Sequence, residues 1–240
     1  MKNILDRHEK IVLQFSGGKD SLACLFLLKN ELHRITVMWV NSGATFPETI
    51  EQMEKVKKFC PNFIEVKGYQ PEQIAANGYP VDVLPVRNHL TVQNATQQKR
   101  LPLQGFLNCC YENVMRPLQE ATQEFGATLI IRGQKLSDGH KSSVRSGDVI
   151  DGVEYCFPIE SWNDEDVLNF VKDSDLLPKQ YDNGAMTSLD CWSCTAYLED
   201  NQWKLPYLKQ YHPEKEIEVK RRLIMIKQEI MSDMKFMENI

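Results

Sequence analysis

Six consecutive residues carry the densest chemistry in this sequence: Ser16-Gly17-Gly18-Lys19-Asp20-Ser21. Two glycines let the main chain approach an anion with no Cβ in the way, and Lys19 adds a mobile positive charge. Ser16 and Ser21 offer hydroxyl donors, while Asp20 can hold a neighbouring donor or a Mg²⁺. The apolar run Ile11, Val12, Leu13 and Phe15 comes first, as expected of a strand buried on both faces of a parallel sheet. Leu22, Leu25, Phe26 and Leu28 follow at spacings that place an apolar stripe on a helix. Strand, glycine turn and helix start together make an anion site, because the first N–H groups of the helix point at the ligand. An ordinary glycine-rich turn explains the composition but not these flanks. GxxxxGK[ST] is not matched, so this is not a Walker A loop.

Cysteine supplies the second signal. Cys109-Cys110 and Cys191-x-x-Cys194 are two paired sites among seven cysteines, an odd number. No secretory leader pattern and no apolar stretch of membrane-spanning length is read, so the expectation is a cytosolic protein with no membrane contact. In that setting thiols are metal ligands or core residues rather than a disulfide framework. One tetrahedral Zn²⁺ draws on C-x₂₋₄-C pairs, whereas adjacent cysteines point apart. A [4Fe–4S] cube offers four separate irons, so neighbouring thiolates can take different corners. A disulfide, a zinc knot and unliganded thiols remain as alternatives. Cys24, Cys60 and Cys156 have no such context and read as core.

A third cluster is basic: Arg132-Gly133-Gln134-Lys135, with Lys141 and Arg145. It is either a solvated loop or a clamp on the charged end of a nucleotide, since guanidinium suits phosphate and sulfate bidentately. His140, in the same loop, has no evident partner.

The elements that must position these groups alternate. Buried strands are expected over Ile11–Phe15, Ile35–Val40, Phe63–Val66 and Ala127–Ile131, and helical patterns follow them. Thr45 and Glu48 spell a T-x-x-E capping box with Pro47 in the first turn, starting a helix that runs to about Cys60. Residues 68–104, with three prolines at 80, 85 and 102, read as an irregular substrate-facing segment. Glu112–Phe125 is helical around Pro117, with Gly126 just past its end. Trp162 and Val167 bracket an Asn163 cap as a hydrophobic staple for a helix over 164–173. From Pro213 to Met237 the residues Ile217, Leu223, Ile224, Ile226, Ile230 and Met234 give one amphipathic helix, either packed on the domain or a contact between copies. The expected fold is α/β, a doubly wound and mostly parallel sheet with helices on both faces and a C-terminal helical appendage. Its ligands sit at the carboxyl ends of strands. The SGGKDS loop, Asn41-Ser42-Gly43 and Arg132–Lys135 all follow strands. The chain of 240 residues divides by this reading into residues 1–200, the nucleotide-binding domain with its cysteines, and 201–240, the helical extension. A net charge of −5 argues against general nucleic-acid coating.

These motifs resemble a known family. SGGKDS is similar to the PP-loop of the ATP pyrophosphatases and the adenosine phosphosulfate reductases. Asn41-Ser42-Gly43-Ala44-Thr45-Phe46-Pro47-Glu48-Thr49 resembles the D-T-G-x-x-F-P-E-T segment that lines the reductases' nucleotide pocket, with Asn41 in place of the acid. The iron–sulfur adenylylsulfate reductases carry CC–x₈₀–CxxC, and 80 residues separate the pairs here. Arg116-Pro117-Leu118, Tyr181-Asp182-Asn183-Gly184 and Ser188-Leu189-Asp190-Cys191-Trp192-Ser193-Cys194-Thr195 agree with the flanking family segments. The resemblance to the phosphoadenosine phosphosulfate reductase family therefore covers residues 10–200. It departs in two places. No cysteine follows Cys194, where the reductases carry an E-C-G-[IL]-H nucleophile, and Asn113-Val114 replaces a basic pair.

The resemblance implies nucleotide contacts from Ser16, Gly17, Gly18, Lys19, Asp20, Ser21, Asn41, Ser42, Gly43, Arg132, Gly133 and Lys135, with Lys19 and Asp20 catalytic. It implies a [4Fe–4S] cluster on Cys109, Cys110, Cys191 and Cys194, with ATP or an adenosine phosphosulfate and Mg²⁺ as further cofactors. The leading expectation is an enzyme that adenylates an acceptor with release of pyrophosphate and supports cluster-assisted sulfur transfer. A sulfonucleotide reductase using an external thiol is the second, and a catalytically silent nucleotide-binding subunit of a defence or nucleic-acid modification complex the third. The partners implied are a sulfur donor or thiol reductant protein, and a nucleic-acid acceptor reached through a partner.

Overall fold

The computed structural model of the protein describes residues 2–139, 142–183, 191–197, 199 and 202–235. Its strands are β1 (Ile11–Gln14), β2 (Ile35–Asn41), β3 (Phe63–Lys67), β4 (Tyr79–Val81), β5 (Leu103–Gly105), β6 (Leu129–Ile131), β7 (Val149–Ile150) and β8 (Val153–Cys156). The chain divides into two compact units.

The first unit comprises Met1–Asn41, Thr45–Lys67 and Pro117–Leu189. It holds a six-stranded sheet in the order β3-β2-β1-β6-β8-β7, parallel throughout except for the β7–β8 pair. Ile11 sits opposite both Ile35 and Leu129, and Leu13 opposite Val37 and Ile131. Side chains of period two send Ile11, Leu13, Ile35, Val37, Leu129 and Ile131 to one face, among the buried residues of helices Lys19–Leu27, Pro47–Phe59 and Asp164–Val171. Val12, Met38 and Ile130 go to the other face, with Leu118, Ala121 and Phe125 of helix Arg116–Phe125 packed against them. The sheet is thus doubly wound, as the alternation of elements implied. Cys24, Cys60 and Cys156 lie in the first of these clusters. The chain leaves β1 toward β2 and β3, then returns to β6 on the other side of β1. That reversal makes a topological switch point between β1 and β6, where open α/β sheets bind ligands.

The second unit comprises Ser42–Ala44, Gly68–Arg116 and Asp190–Ile240. Segment 68–104 is more regular than its prolines suggested. It forms helix Gln70–Asn77, β4, helix Leu90–Thr96 and β5, and β4 pairs with β5 in parallel. Val81, Leu103 and Ile226 form a small core there, with Tyr79 and Ile230 against it. Arg100 fastens helix Pro213–Met234 through Glu229 at 3.0 Å and Asp233 at 2.8 Å. The amphipathic stripe on that helix is only partly the expected one. Val219 and Ile226 are buried, whereas Ile217 and Ile224 are exposed.

Three local expectations change. Thr45 does not cap the Pro47–Phe59 helix, because its hydroxyl donates to Asn41 Oδ1 at 3.1 Å and Phe46 is the extended residue before Pro47. The helical stretch expected from Glu112 begins at Phe106, so the double cysteine lies inside helix Phe106–Cys110 rather than before a helix. A π turn, Tyr111–Met115, then leads into Arg116–Phe125. Pro117 has no N–H to close an α-helical bond, and π turns absorb such interruptions. Asn163 caps Asp164–Val171 as expected, in a reciprocal box with Asp166. Among the described residues, no helix is long and apolar enough to cross a membrane.

Candidate functional site

The Ser16–Ser21 loop follows β1 and opens helix Lys19–Leu27. Gly17 has φ +86°, and an added Cβ there would lie 2.6 Å from Gln52 Oε1. Gln52, buried in helix Pro47–Phe59, donates to the carbonyl oxygens of Gly17 at 2.9 Å and Leu176 at 2.8 Å. Ser21 Oγ donates to the Gly18 carbonyl at 3.0 Å, and the Gly18 N–H donates to Ser16 Oγ at 3.3 Å. At the helix N-terminus the Lys19 N–H donates to the Tyr181 hydroxyl oxygen at 3.0 Å. An oxygen therefore already occupies the place where an anion would bind.

The loop after β6 meets this one. Gly133 lies so close that a Cβ would stand 2.6 Å from the Asp20 carbonyl carbon and 2.8 Å from the Ser21 nitrogen. The approach brings Lys135, only 2% exposed, to Asp20 at 2.5 Å, Asp138 at 2.8 Å and Asp164 at 3.3 Å. Lys19, also 2% exposed, reaches Asp20 at 2.9 Å and Asp164 at 2.7 Å. Two buried ammonium groups are thus shared among three carboxylates. Burial pushes the Lys135 ammonium toward neutrality, but Asp138 and Asp20 overcome it and hold its pKa above the ordinary lysine range. Burial pushes Asp164 up, and the Lys19 and Lys135 ammonium groups bring it below the usual carboxylate value.

The other nucleotide candidates are placed differently. Asn41, at the end of β2, donates to Glu65 Oε1 at 2.9 Å. Arg132 donates through Nε to Gln14 Oε1 at 2.6 Å and lies 5.3 Å from the centre of the Tyr155 ring. Burial lowers its pKa. Arg145 is exposed. Ser42 and Gly43 belong to the second unit. His140, Lys141, Gly184 and residues 188–190 lie outside the described residues.

The cysteines gather within the second unit. Cys109 is buried, and burial together with Cys191 and Cys194 pushes its thiol up to about 12, while a hydrogen bond from Asn113 works the other way. Asn113 Nδ2 lies 3.7 Å from Cys109 Sγ and donates to the Cys109 carbonyl at 2.9 Å. The Cys191 thiol donates to Ser42 Oγ at 3.1 Å. Cys110 is half-buried and about 100° around the helix from Cys109. None of the four is in a disulfide. Main-chain carbonyls of the Cys191–Cys194 turn face cations: Lys204 Nζ donates to Cys191 and Cys194, each at 2.9 Å, and Arg222 Nη1 donates to Ser193 at 3.3 Å. Among the described residues, no three His, Cys, Asp or Glu side chains are grouped so as to hold a metal ion.

The phosphoadenosine phosphosulfate reductase domain family matches residues 10–197. The chain belongs to this family. Curated relatives include the adenosine 5′-phosphosulfate reductase of Staphylococcus epidermidis, 22% identical over 193 residues, which are 80% of this chain and 72% of that protein. That of Oceanobacillus iheyensis is 22% identical over 194 residues, covering 80% and 73% respectively. The phosphoadenylyl-sulfate reductase from Candida auris, solved as a phosphate complex, shares the fold with a TM-score of 0.52 at 15% identity, over 75% of this chain and 81% of that one.

The geometry adds several residues at these two places that sequence reasoning missed. Gln52 and Asp164 act on the loop, and Asp138 on Lys135 beside it; the buried position of a polar Gln on an amphipathic face hinted at the first. Asp164 carried a weak signal: Asn163 and Asp166 already complete the cap, leaving a neighbouring acid with no local task. Lys204 and Arg222 carried none.

Proposed function

We propose that the chain binds an adenosine phosphosulfate at the Ser16–Ser21 loop and passes its sulfur to a thiol, as a sulfonucleotide reductase supplied with an external thiol. The observation that carries the reading is the paired Lys19 and Lys135 at a helix N-terminus on the sheet's switch point, in a chain of this family. A thiol attacks the sulfate sulfur, the S–O bond to the phosphate breaks, and adenosine monophosphate leaves with that electron pair. A second thiol then displaces sulfite and leaves a disulfide. Lys19 and the loop N–H groups would stabilise the charge that develops on the leaving phosphate. The substrate must first replace Tyr181 Oη at the Lys19 N–H and draw Lys19 from Asp164. Asp20 would keep both ammonium groups aligned during that exchange.

Cys109, Cys110, Cys191 and Cys194 are proposed to hold a [4Fe–4S] cluster. The support is chemical: none of the four is in a disulfide, Cys191 and Cys194 both raise the pKa of the Cys109 thiol, Asn113 lies beside Cys109, and Lys204 meets the CxxC carbonyls. A cube keeps its four thiolates farther apart than one ion keeps its ligands. When bound, the cluster would supply electron-accepting capacity and a strong local field.

The test is direct. Anaerobically purified chain, given adenosine 5′-phosphosulfate and dithiothreitol, forms sulfite and adenosine monophosphate, and Lys19→Ala abolishes both. Iron and sulfide approach about four each per chain, and Cys→Ser at any of the four positions lowers them. A second reading, ATP cleavage to pyrophosphate with adenylation of an acceptor and Mg²⁺ on the phosphates, is favoured by the lack of any cysteine from residue 195 to 240. Pyrophosphate from ATP without sulfite would establish it. Nucleotide binding with neither product leaves a silent subunit.

A further inference from the structure

Gln52 is 6% exposed on the same helix face as buried Met53 and Val56, where a side chain that only filled space would be apolar. Both hydrogens of its amide are in use: Nε2 donates to the Gly17 carbonyl at 2.9 Å and to the Leu176 carbonyl at 2.8 Å. That orientation leaves Oε1 buried and without a partner among the described residues, and a flipped amide would set an oxygen against two carbonyls. The side chain thus leaves one acceptor unmet in order to make its two donations.

The first donation acts across the peptide plane. The Gly17–Gly18 peptide is trans, so its C=O and the Gly18 N–H point in opposite directions. Holding the Gly17 oxygen against helix Pro47–Phe59 therefore turns the Gly18 N–H to the other side of the loop. There it meets Ser16 Oγ at 3.3 Å, a long bond, and Ser16 Oγ lies 3.3 Å from Ser21 Oγ. The positive φ of Gly17 gives this peptide plane a freedom that most residues lack, and the bond from Gln52 restrains it. The second donation fixes the root of the segment that goes on to Tyr181, whose hydroxyl accepts from the Lys19 N–H.

We propose that Gln52 is a positioning residue of the anion site: by drawing the Gly17 carbonyl back, it aims the Gly18 N–H at the phosphosulfate group before the ligand arrives. The ligand then meets a donor already turned toward it, with no peptide rotation left to make. This rests on the reading of Ser16–Ser21 as the nucleotide site.

The experiment uses the full chain and adenosine 5′-phosphosulfate, with binding followed by calorimetry and by the amide NMR signals of the loop. In wild type the Gly18 amide signal is expected to move with those of Lys19, Asp20 and Ser21 as ligand is added. Gln52→Met keeps the reach of the side chain and removes both donors. It is expected to bind about tenfold more weakly, the worth of one charge-assisted hydrogen bond, with the Gly18 response lost and the other loop amides still responding. Gln52→Glu, of the same shape and with no donor when ionised, repeats the test, and failure of both variants to fold assigns Gln52 to stability alone and overturns the proposal. Unchanged affinity or a retained Gly18 response in a folded variant also overturns it. So does a Gly18 signal that stays still in wild type while Lys19 responds, and in each of these cases the nucleotide site stands. No response from any loop amide in wild type overturns the site reading and this one with it.

Discussion

Buried lysines anchor both candidate regions, but they meet different partners. At the Ser16–Ser21 loop, Lys19 and Lys135 face side-chain carboxylates, three of them shared between two ammonium groups. At the cysteine centre, Lys204 faces main-chain carbonyls. Carboxylates can turn away on their own rotamers when a better anion arrives, so the first arrangement suits exchange. Carbonyls cannot move without the chain, so the second suits a fixed scaffold. A lysine is therefore a poor guide to an anion site until its partners are known.

Removing one lysine from each region is the sharpest way to break that contrast. Lys135→Met takes the lysine from Asp138 and leaves Asp20 and Asp164 to Lys19 alone, and is expected to cost about 2 kcal/mol, discounted for their partial exposure, with a thermal midpoint lower by several degrees. Asp20→Asn in the same chain should recover part of it. Gly17→Ala comes next at about 2 kcal/mol, because an L-residue at φ +86° is strained and meets Gln52. Gly17→Val is therefore not expected to leave the fold unperturbed. Lys204→Met is expected to cost about 1–2 kcal/mol in cluster-free protein, the value of charge-assisted hydrogen bonds to carbonyls. Equal losses for Lys135→Met and Lys204→Met in thermal unfolding would erase the distinction.

The smallest effect should be the most telling. Asp164→Asn removes a half-exposed carboxylate that competes for Lys19, so its cost in stability is a few tenths of a kcal/mol. Calorimetry with adenosine 5′-phosphosulfate should show tighter binding, by several-fold. Weaker binding would mean that Asp164 orients Lys19 rather than competing for it. The folded-state pKa of Asp164 is depressed, so its contribution is present above the unfolded value of about 3.9 and lost as pH falls through the folded one. The variant should lose less stability than wild type on acidification below about pH 4.

Much of this was written locally in the chain. Ile11–Gln14, the glycine turn and the Lys19–Leu27 helix follow from composition and period, as do the staple and cap at Trp162–Val167. β4 and β5 were not legible, since three residues show no alternation and Pro80 and Pro102 mimic loop chemistry. The capping box at Thr45 misled because the same hydroxyl had a better acceptor in Asn41, four residues back. The burial of Ile226 rather than Ile224 depends on which side of the last helix meets Val81 and Leu103, a tertiary fact. Lys135 and Asp20 are 115 residues apart, and no periodicity announces such a pair.

Gly133 has one more consequence. Its backbone is pressed against the carbonyl of Asp20, with no side chain between them to act as a spring. The two loops interlock there, and the Lys135–Asp20 ion pair ties them together. On the proposed reading, a ligand that reaches Lys19 displaces the Tyr181 hydroxyl and the Asp164 carboxylate rather than the Gly133 loop. Position 133 thus sets how closely Lys135 can approach Asp20, although it contributes no charged side chain of its own.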